Sequence, residues 1–213
     1  RSVAEICTAS TLCQQHEAHL GLTTPVPFQV LIESPAALTE VHAMAAHPRV
    51  QALCFGLMDY VSSFEGAIGA DALHGARQFE HPLLARALTD ISLAAHAHGK
   101  VAVHSVTLAI GDGTAAGEDA LRAARDFGYQ RKWSIHPRQV EPIIAAFQPA
   151  AQDVQRAGEI LLAAQAADWG PVRHADELHD RASYRYWWHV LQQAWRTGVP
   201  LSPDVKAAFF GNA

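Results

Sequence analysis

Short apolar runs alternate along this chain with longer stretches in which apolar residues recur at helical spacing. Phe28-Gln-Val-Leu-Ile-Glu33 and the run over 50–56 have the length and composition of buried strands. A helix is predicted over 2–20, with Ser2 as N-cap and Gly21 as stop signal. Ser34-Pro35 reads as a cap followed by proline at the first helical position, opening a helix that runs to Ala46 and stops near His47-Pro48. Residues 82–98 form a further helix closed by Gly99, and 101–106 a third strand. Residues 118–127 make a helix ending at Gly128, 133–136 a fourth short strand, and Pro137 opens a helix to Phe147. Between Asp59 and Glu80 lies a long polar stretch with several glycines, of a length that compact domains tend to use for function.

Strands separated by helices imply the α/β class with a parallel sheet. Four such units are half of a (β/α)8 TIM barrel, and an open four-stranded sheet is the alternative. Arg1 opens straight into a helical pattern with no initiator methionine, so the expectation is a start partway through a domain and the back half of a barrel. After Pro149 the pattern changes. An Ala/Leu-rich helix over 153–167, a link over 170–174 and an aromatic helix over 183–195 follow, with no strand signal. The expected division is 1–149 for the half-barrel and 150–213 for an appended helical extension.

Composition narrows the function classes. A chain of 213 residues with 49% hydrophobic and 17% charged residues is an ordinary globular protein of one domain, or one with a small extension. A net charge of -5 gives no basic footprint for nucleic acid. No apolar run approaches the ~18 residues of a membrane helix. The three cysteines, Cys7, Cys13 and Cys54, include no CxxC pair and read as reduced thiols of a cytoplasmic protein. HExxH, GxSxG and Walker-type motifs are absent from the sequence.

The candidate chemistry lies at the strand ends. Glu33 and Asp59 close two successive apolar runs, where a parallel sheet places its active site. Two acids on adjacent strands suit Mg²⁺, which keeps waters and takes substrate oxygens beside one or two carboxylates. Helix capping or pairing with an arginine is the other reading of each acid. His136, in Ser134-Ile-His-Pro-Arg-Gln139, is placed to contact a substrate, with a hydrogen-bonded structural role as the alternative. Gly111-Asp-Gly113 reads as a plain loop, or an anion-binding turn. His96 and His98 suit a helix C-terminus. Asp176, Glu177 and Asp180 read as caps between the tail helices. Tyr184, Tyr186, Trp187, Trp188 and Trp195 form a packing face, on their own core or across a subunit contact, and a homo-oligomer is expected from it.

Four segments carry a resemblance: Val30-Leu-Ile-Glu-Ser-Pro35, Ala52-Leu-Cys-Phe-Gly-Leu-Met-Asp59, Gly128-Tyr-Gln-Arg-Lys-Trp-Ser-Ile-His-Pro-Arg-Gln139 and Ala146-Phe-Gln-Pro149. In order and spacing the chain resembles the citrate lyase beta-subunit-like and malyl-CoA lyase superfamily (the HpcH/HpaI aldolase/citrate lyase family), related to the Mg²⁺-dependent class II pyruvate aldolases. The match runs over about 1–149 and is weaker in the tail. The resemblance implies a (β/α)8 barrel with a C-terminal helical extension reaching a neighbouring subunit, in a homotrimer or homohexamer. It implies Mg²⁺ ligation by Glu33 and Asp59, and a 2-oxo acid carboxylate held at the backbone of Met58, beside Asp59. It also implies a tail acid acting in trans as general acid–base, with Asp180 first and Asp176 second. The reaction it implies is reversible cleavage of a short 3-hydroxyacyl-CoA (malyl-, citramalyl- or citryl-CoA) to an acyl-CoA and oxaloacetate, glyoxylate or pyruvate. A pyruvate-type aldolase on a free hydroxy-keto acid, a thioesterase or synthase on the same site, and a non-catalytic subunit retaining the barrel are the alternatives. His104 stands where many relatives carry an acid, and Met58 replaces the usual acid before Asp59. The family pattern also has a substrate-contacting arginine on an early strand, ahead of the part of the pattern that the sequence covers.

Overall fold

The structure, a computed structural model, describes residues 2–111 and 113–211. It divides into two compact units, Arg1–Phe147 and Gln148–Ala213. No helix among the described residues is long and apolar enough to cross a membrane.

The first unit opens with helix α1 (Val3–Leu20), capped by Ser2 and ended by Gly21 in the left-handed region at φ 68. Strand β1 (Phe28–Ile32) leads to helix α2 (Pro35–Thr39), where Ser34 Oγ accepts from Ala37 N. The helix expected to run to Ala46 is broken at Glu40, and resumes as α3 (Val41–Ala46). Glu40 leaves helical geometry and its carboxylate accepts from Val3 N at 2.9 Å, tying the break to the start of α1. Strand β2 (Val50–Phe55) follows. The stretch expected as a long loop contains helix α4 (Leu57–Ser62), a 3-10 turn at Ala70–Leu73 and helix α5 (Arg77–Glu80). Helix α6 (Pro82–Ala97) and strand β3 (Val101–His104) come next, then helix α7 (Thr114–Phe127), which starts before the expected 118.

Strand β4 (Arg131–Lys132) corrects the expected fourth strand at 133–136. Gln130 N donates to Ala102 O at 3.0 Å and Trp133 N to His104 O at 3.1 Å, so the ladder ends where the expected strand begins. Tyr129 sets this register. Its ring is buried and its hydroxyl donates to Leu88 O, whereas Trp133 and Ile135 are exposed. A 3-10 turn at Pro137–Gln139 and helix α8 (Val140–Phe147) complete the unit.

The four strands are parallel in the order β1-β2-β3-β4. One sheet face packs Ile32, Leu53, Phe55 and Ala102 against Met44 of α3 and Leu88 of α6 in the main core. Among the described residues the other face has the small cluster of Ala52, Cys54 and Val103, with Val101 packed against it. Leu31, beside Cys54 in the ladder, is 43% exposed and Trp133 is 40% exposed. Parallel sheets normally have both faces covered.

The second unit packs helices α9 (Ala151–Ala166), α10 (Arg181–Thr197) and α11 (Pro203–Phe209) around Ile160, Leu161, Trp187 and Leu191. It also holds what the sequence reading lacked, an antiparallel hairpin of β5 (Val172–His174) and β6 (Glu177–His179). Its two-residue turn puts Ala175 and Asp176 at positive φ, a geometry that Asn-Gly or Asp-Gly usually announces. The aromatic helix divides its rings. Tyr184 and Trp187 are buried, Trp188 and Trp195 stack on Phe210, and Tyr186 is 60% exposed.

Candidate functional site

Glu33 follows β1 directly, and Asp59 follows β2 in the first turn of the next helix. Ile32 and Phe55 are register partners, and Gly56 N donates to Ile32 O at 3.0 Å, so Glu33 and Gly56 lie side by side just beyond the ladder. A Cβ on residue 56 would stand 2.7 Å from Glu33 Cβ and 3.3 Å from Oε2. Glycine there makes the space that Glu33 fills. Asp59 lies one element further than the sequence suggested, in the first turn of α4 rather than at a strand end. It is exposed, Met58 beside it is half-exposed, and Glu33 is partly buried.

The capping alternative meets a specific difficulty here. Helix α2 is capped by Ser34, not Glu33. At α4 the N-cap is Gly56, and Leu57 N donates to Ser105 Oγ at 3.2 Å, not to Asp59. Among the described residues neither the Glu33 nor the Asp59 carboxylate has a hydrogen bond or ion pair. Both acids stand at helix starts, where unsatisfied N–H groups favour negative charge. Among the described residues no group of three or more His, Cys, Asp or Glu could hold a metal. Glu33 and Asp59 are oxygen donors, the ligand type that Mg²⁺ takes beside waters and substrate oxygens.

The β3–β4 end of the same edge is built differently. Lys132 Nζ donates to Ser105 O at 2.5 Å and lies 3.1 Å from His104 Nδ1. Burial holds the Lys132 ammonium down to about 8, while the more distant Asp119 pulls the other way. Burial, with the Lys132 charge beside it, holds the His104 imidazole neutral, well below its ordinary range. The neutral ring stacks on Phe79 at 5.3 Å and meets the edge of Tyr129 at 5.5 Å. Nothing in the sequence singles out Lys132, because its partners are far upstream.

His136 caps its own turn, its Nδ1 accepting from Arg138 N at 3.2 Å. The buried member of that segment is Gln139, whose role the sequence reading missed. Gln139 Oε1 accepts from Ile135 N, and Nε2 donates to Thr107 O and Ala109 O, both at 2.9 Å. It clamps the loop after β3. Arg138 donates to Gly111 O, and Gly113 abuts Arg138 O so closely that no side chain fits; Asp112 lies outside the described residues. His96 bonds Gly128 O at 2.8 Å, joining the end of α6 to the turn before β4.

In the second unit, Asp180 is the N-cap of α10. Its Oδ1 accepts from Ala182 N at 2.9 Å and Ser183 completes a capping box. Asp176 pairs with Arg173 across the hairpin turn, and Glu177 with Arg156 at 2.5 Å.

The chain as a whole is similar to known proteins. The chain is 30% identical over 203 residues to an L-malyl-CoA/beta-methylmalyl-CoA lyase of Cereibacter sphaeroides, an alignment covering 90% of this chain and 64% of that protein. A (3S)-malyl-CoA thioesterase of the same species is 29% identical over 156 residues, covering 71% of this chain and 50% of that protein. A crystal structure described as a citrate lyase from Burkholderia xenovorans superposes with a TM-score of 0.88 at 48% identity, over 98% of this chain and 65% of that one. The Mycobacterium tuberculosis CitE structure in complex with magnesium, acetoacetate and coenzyme A shares the fold, with a TM-score of 0.67 at 22% identity over 82% of this chain and 63% of that one. The chain thus spans just under two thirds of the length of the lyase it matches. The sequence pattern of the HpcH/HpaI aldolase/citrate lyase family matches residues 2–137, a stretch that holds Glu33 and Asp59, and the chain belongs to that family.

Proposed function

We propose that this chain carries the Mg²⁺ site of a carbon–carbon lyase acting on a short 3-hydroxyacyl-CoA thioester of the malyl-, citramalyl- or citryl-CoA type. The observation that carries the reading is that Glu33, just after β1, and Asp59, in the first turn of the helix after β2, both lack a side-chain partner among the described residues. The family assignment and the malyl-CoA lyase relatives support it. Mg²⁺, when bound there, supplies Lewis acidity at the carbonyl oxygen of the 2-oxo acid. Glu33 and Asp59 provide two oxygens and neutralise the ion. The first turn of α4, at Met58 and Asp59, offers N–H groups with no helical carbonyl partner, suited to the carboxylate of oxaloacetate, glyoxylate or pyruvate. His136 serves the substrate side of the same edge.

The thinly covered sheet face supports the (β/α)8 architecture. Leu31 and Trp133 stand where further strands would bury them in a closed barrel. In this reading 1–149 is the back half-barrel, and 150–213 is an extension that packs on a neighbouring subunit of a homotrimer or homohexamer. Asp180 then acts in trans as general acid–base on the acyl-CoA carbon, and Asp176, engaged by Arg173, is the weaker candidate. The free thiols of Cys7, Cys13 and Cys54 suit a cytoplasmic setting.

The test is cleavage of the three CoA esters by the whole enzyme with and without a chelator. Mg²⁺-dependent release of a 2-oxo acid supports the lyase. Release of CoA and the intact hydroxy acid would assign a thioesterase, as one relative's name suggests. Cleavage that survives chelation sinks the metal reading. Asp180→Asn separates the acid's two roles, because asparagine caps as well as aspartate. Stability is expected to hold while activity falls at least about a hundredfold, as for a lost general acid–base.

A further inference from the structure

Lys132 is a largely buried cation that makes no hydrogen bond to a carboxylate among the described residues, Asp119 acting on it only through its charge. Among the described residues its only hydrogen-bond partners are Ser105 O, at 2.5 Å, and His104 Nδ1, at 3.1 Å. Burying an ammonium is costly, and a methionine would fill similar space without that cost. Both partners of the ammonium lie at the end of β3. His104 cannot turn away, because Phe79 stacks on one face and Tyr129 closes against it. Its neutral ring offers Nδ1 as the acceptor.

Ser105 is the link onward. Its carbonyl takes the Lys132 bond and its hydroxyl oxygen accepts from Leu57 N at 3.2 Å. Leu57 is the first residue of α4, and the N-cap of that helix, Gly56, has no side chain to hold it. The start of α4 is therefore fixed from β3, and the next two residues are Met58 and Asp59.

We infer that Lys132 is a positioning residue of the candidate site: it clamps the end of β3, and through Ser105 it fixes the first turn of the helix that presents Met58 and Asp59. Its consequence for metal binding rests on the function proposed above, whereas the clamp itself stands on the geometry alone. The two are tested separately in the whole protein.

Hydrogen exchange of the Leu57 amide reads the clamp. Lys132→Met and Ser105→Ala are each expected to speed that exchange at least tenfold while amides of α1 keep their rates, and Ser105→Thr, which keeps the hydroxyl, restores protection. Calorimetry with Mg²⁺ and pyruvate reads the consequence. Each single variant is expected to bind Mg²⁺ about tenfold more weakly, and the double variant no more weakly than either, as for residues acting through one chain of contacts. Unchanged Leu57 exchange in folded Lys132→Met overturns the inference, as do additive losses in the double variant. Should Lys132→Met fail to fold, unchanged exchange in Ser105→Ala overturns it equally. If the wild-type protein binds no Mg²⁺ with pyruvate, the metal reading fails, and the exchange result still decides the clamp.

Discussion

The two halves of one sheet edge are built on opposite terms. At the β1–β2 end, Glu33 and Asp59 have no side-chain partner among the described residues. At the β3–β4 end most polar groups nearby are engaged: Lys132 with His104 and Ser105, Gln139 with the loop after β3, and Thr107 with Asp119 at 2.5 Å, while His104 Nε2 is buried without a hydrogen-bond partner. The difference follows from exposure. Buried polar groups left unpaired cost free energy, so the enclosed β3–β4 end is tied at most of its polar atoms. Carboxylates at the open β1–β2 end are paid for by water and stay available to a ligand. One end leaves its carboxylates without protein partners, and the other is held by hydrogen bonds between remote elements.

Substitutions that exploit this contrast fall in a clear order. The largest effect is expected at the free pair. Glu33→Gln or Asp59→Asn should lower kcat/KM for the CoA ester about a thousandfold, roughly 4 kcal/mol of transition-state stabilisation. Because neither side chain is bonded to the protein, the urea midpoint should not move; a large loss of stability would show that the acids are structural after all. Gly56→Ala comes next. The new Cβ collides with Glu33 Cβ, so the expected cost is ~1–3 kcal/mol in unfolding together with a measurable drop in Mg²⁺ affinity by calorimetry.

At the β3–β4 end the signature should be reversed. Gln139→Ala strands Ile135 N, Thr107 O and Ala109 O, costing ~1–3 kcal/mol by thermal melting. Mg²⁺ affinity should change far less than in Gly56→Ala. The smallest effect is a pH slope. With Lys132 held to about 8 against an ordinary 10.5, the unfolded chain binds more protons between those values. This group therefore makes stability rise with pH across that window. Burial raises the Cys54 thiol above its ordinary 9.0 and Tyr129 well above its own value, and both pull the other way at higher pH. Between pH 8 and pH 9 the urea midpoint of wild type, relative to Lys132→Met, should climb. A flat difference would mean that Lys132 is not desolvated.

Local chemistry made much of the first unit legible. Ser2, Ser34 with Pro35, Gly21 and Gly128 mark helix ends through bonds to their own neighbours, and each does so in the structure. Where distant partners decide, the sequence reading slipped. The helix expected to continue through Glu40 breaks because Val3 N claims its carboxylate. The fourth strand moved upstream because the buried Tyr129, bonded to Leu88 O, sets the register. The hairpin of the tail was invisible because Ala175-Asp176 makes a turn that its composition does not advertise.

The candidate site divides along the same line. The sequence by itself determined the alternation of strands and helices, and hence a parallel sheet whose edge collects Glu33 and Asp59. That follows from short-range periodicity and from the rule that parallel strands end together. Only the tertiary structure decided which acids are free and which groups are held. It showed Ser34 and Ser105 doing the bonding that the two acids could have done, and Gly56 opening the space for Glu33. It also placed Lys132 beneath the start of α4 by way of a strand 27 residues upstream. Those facts depend on burial and on contacts between elements remote in sequence, which no local pattern encodes.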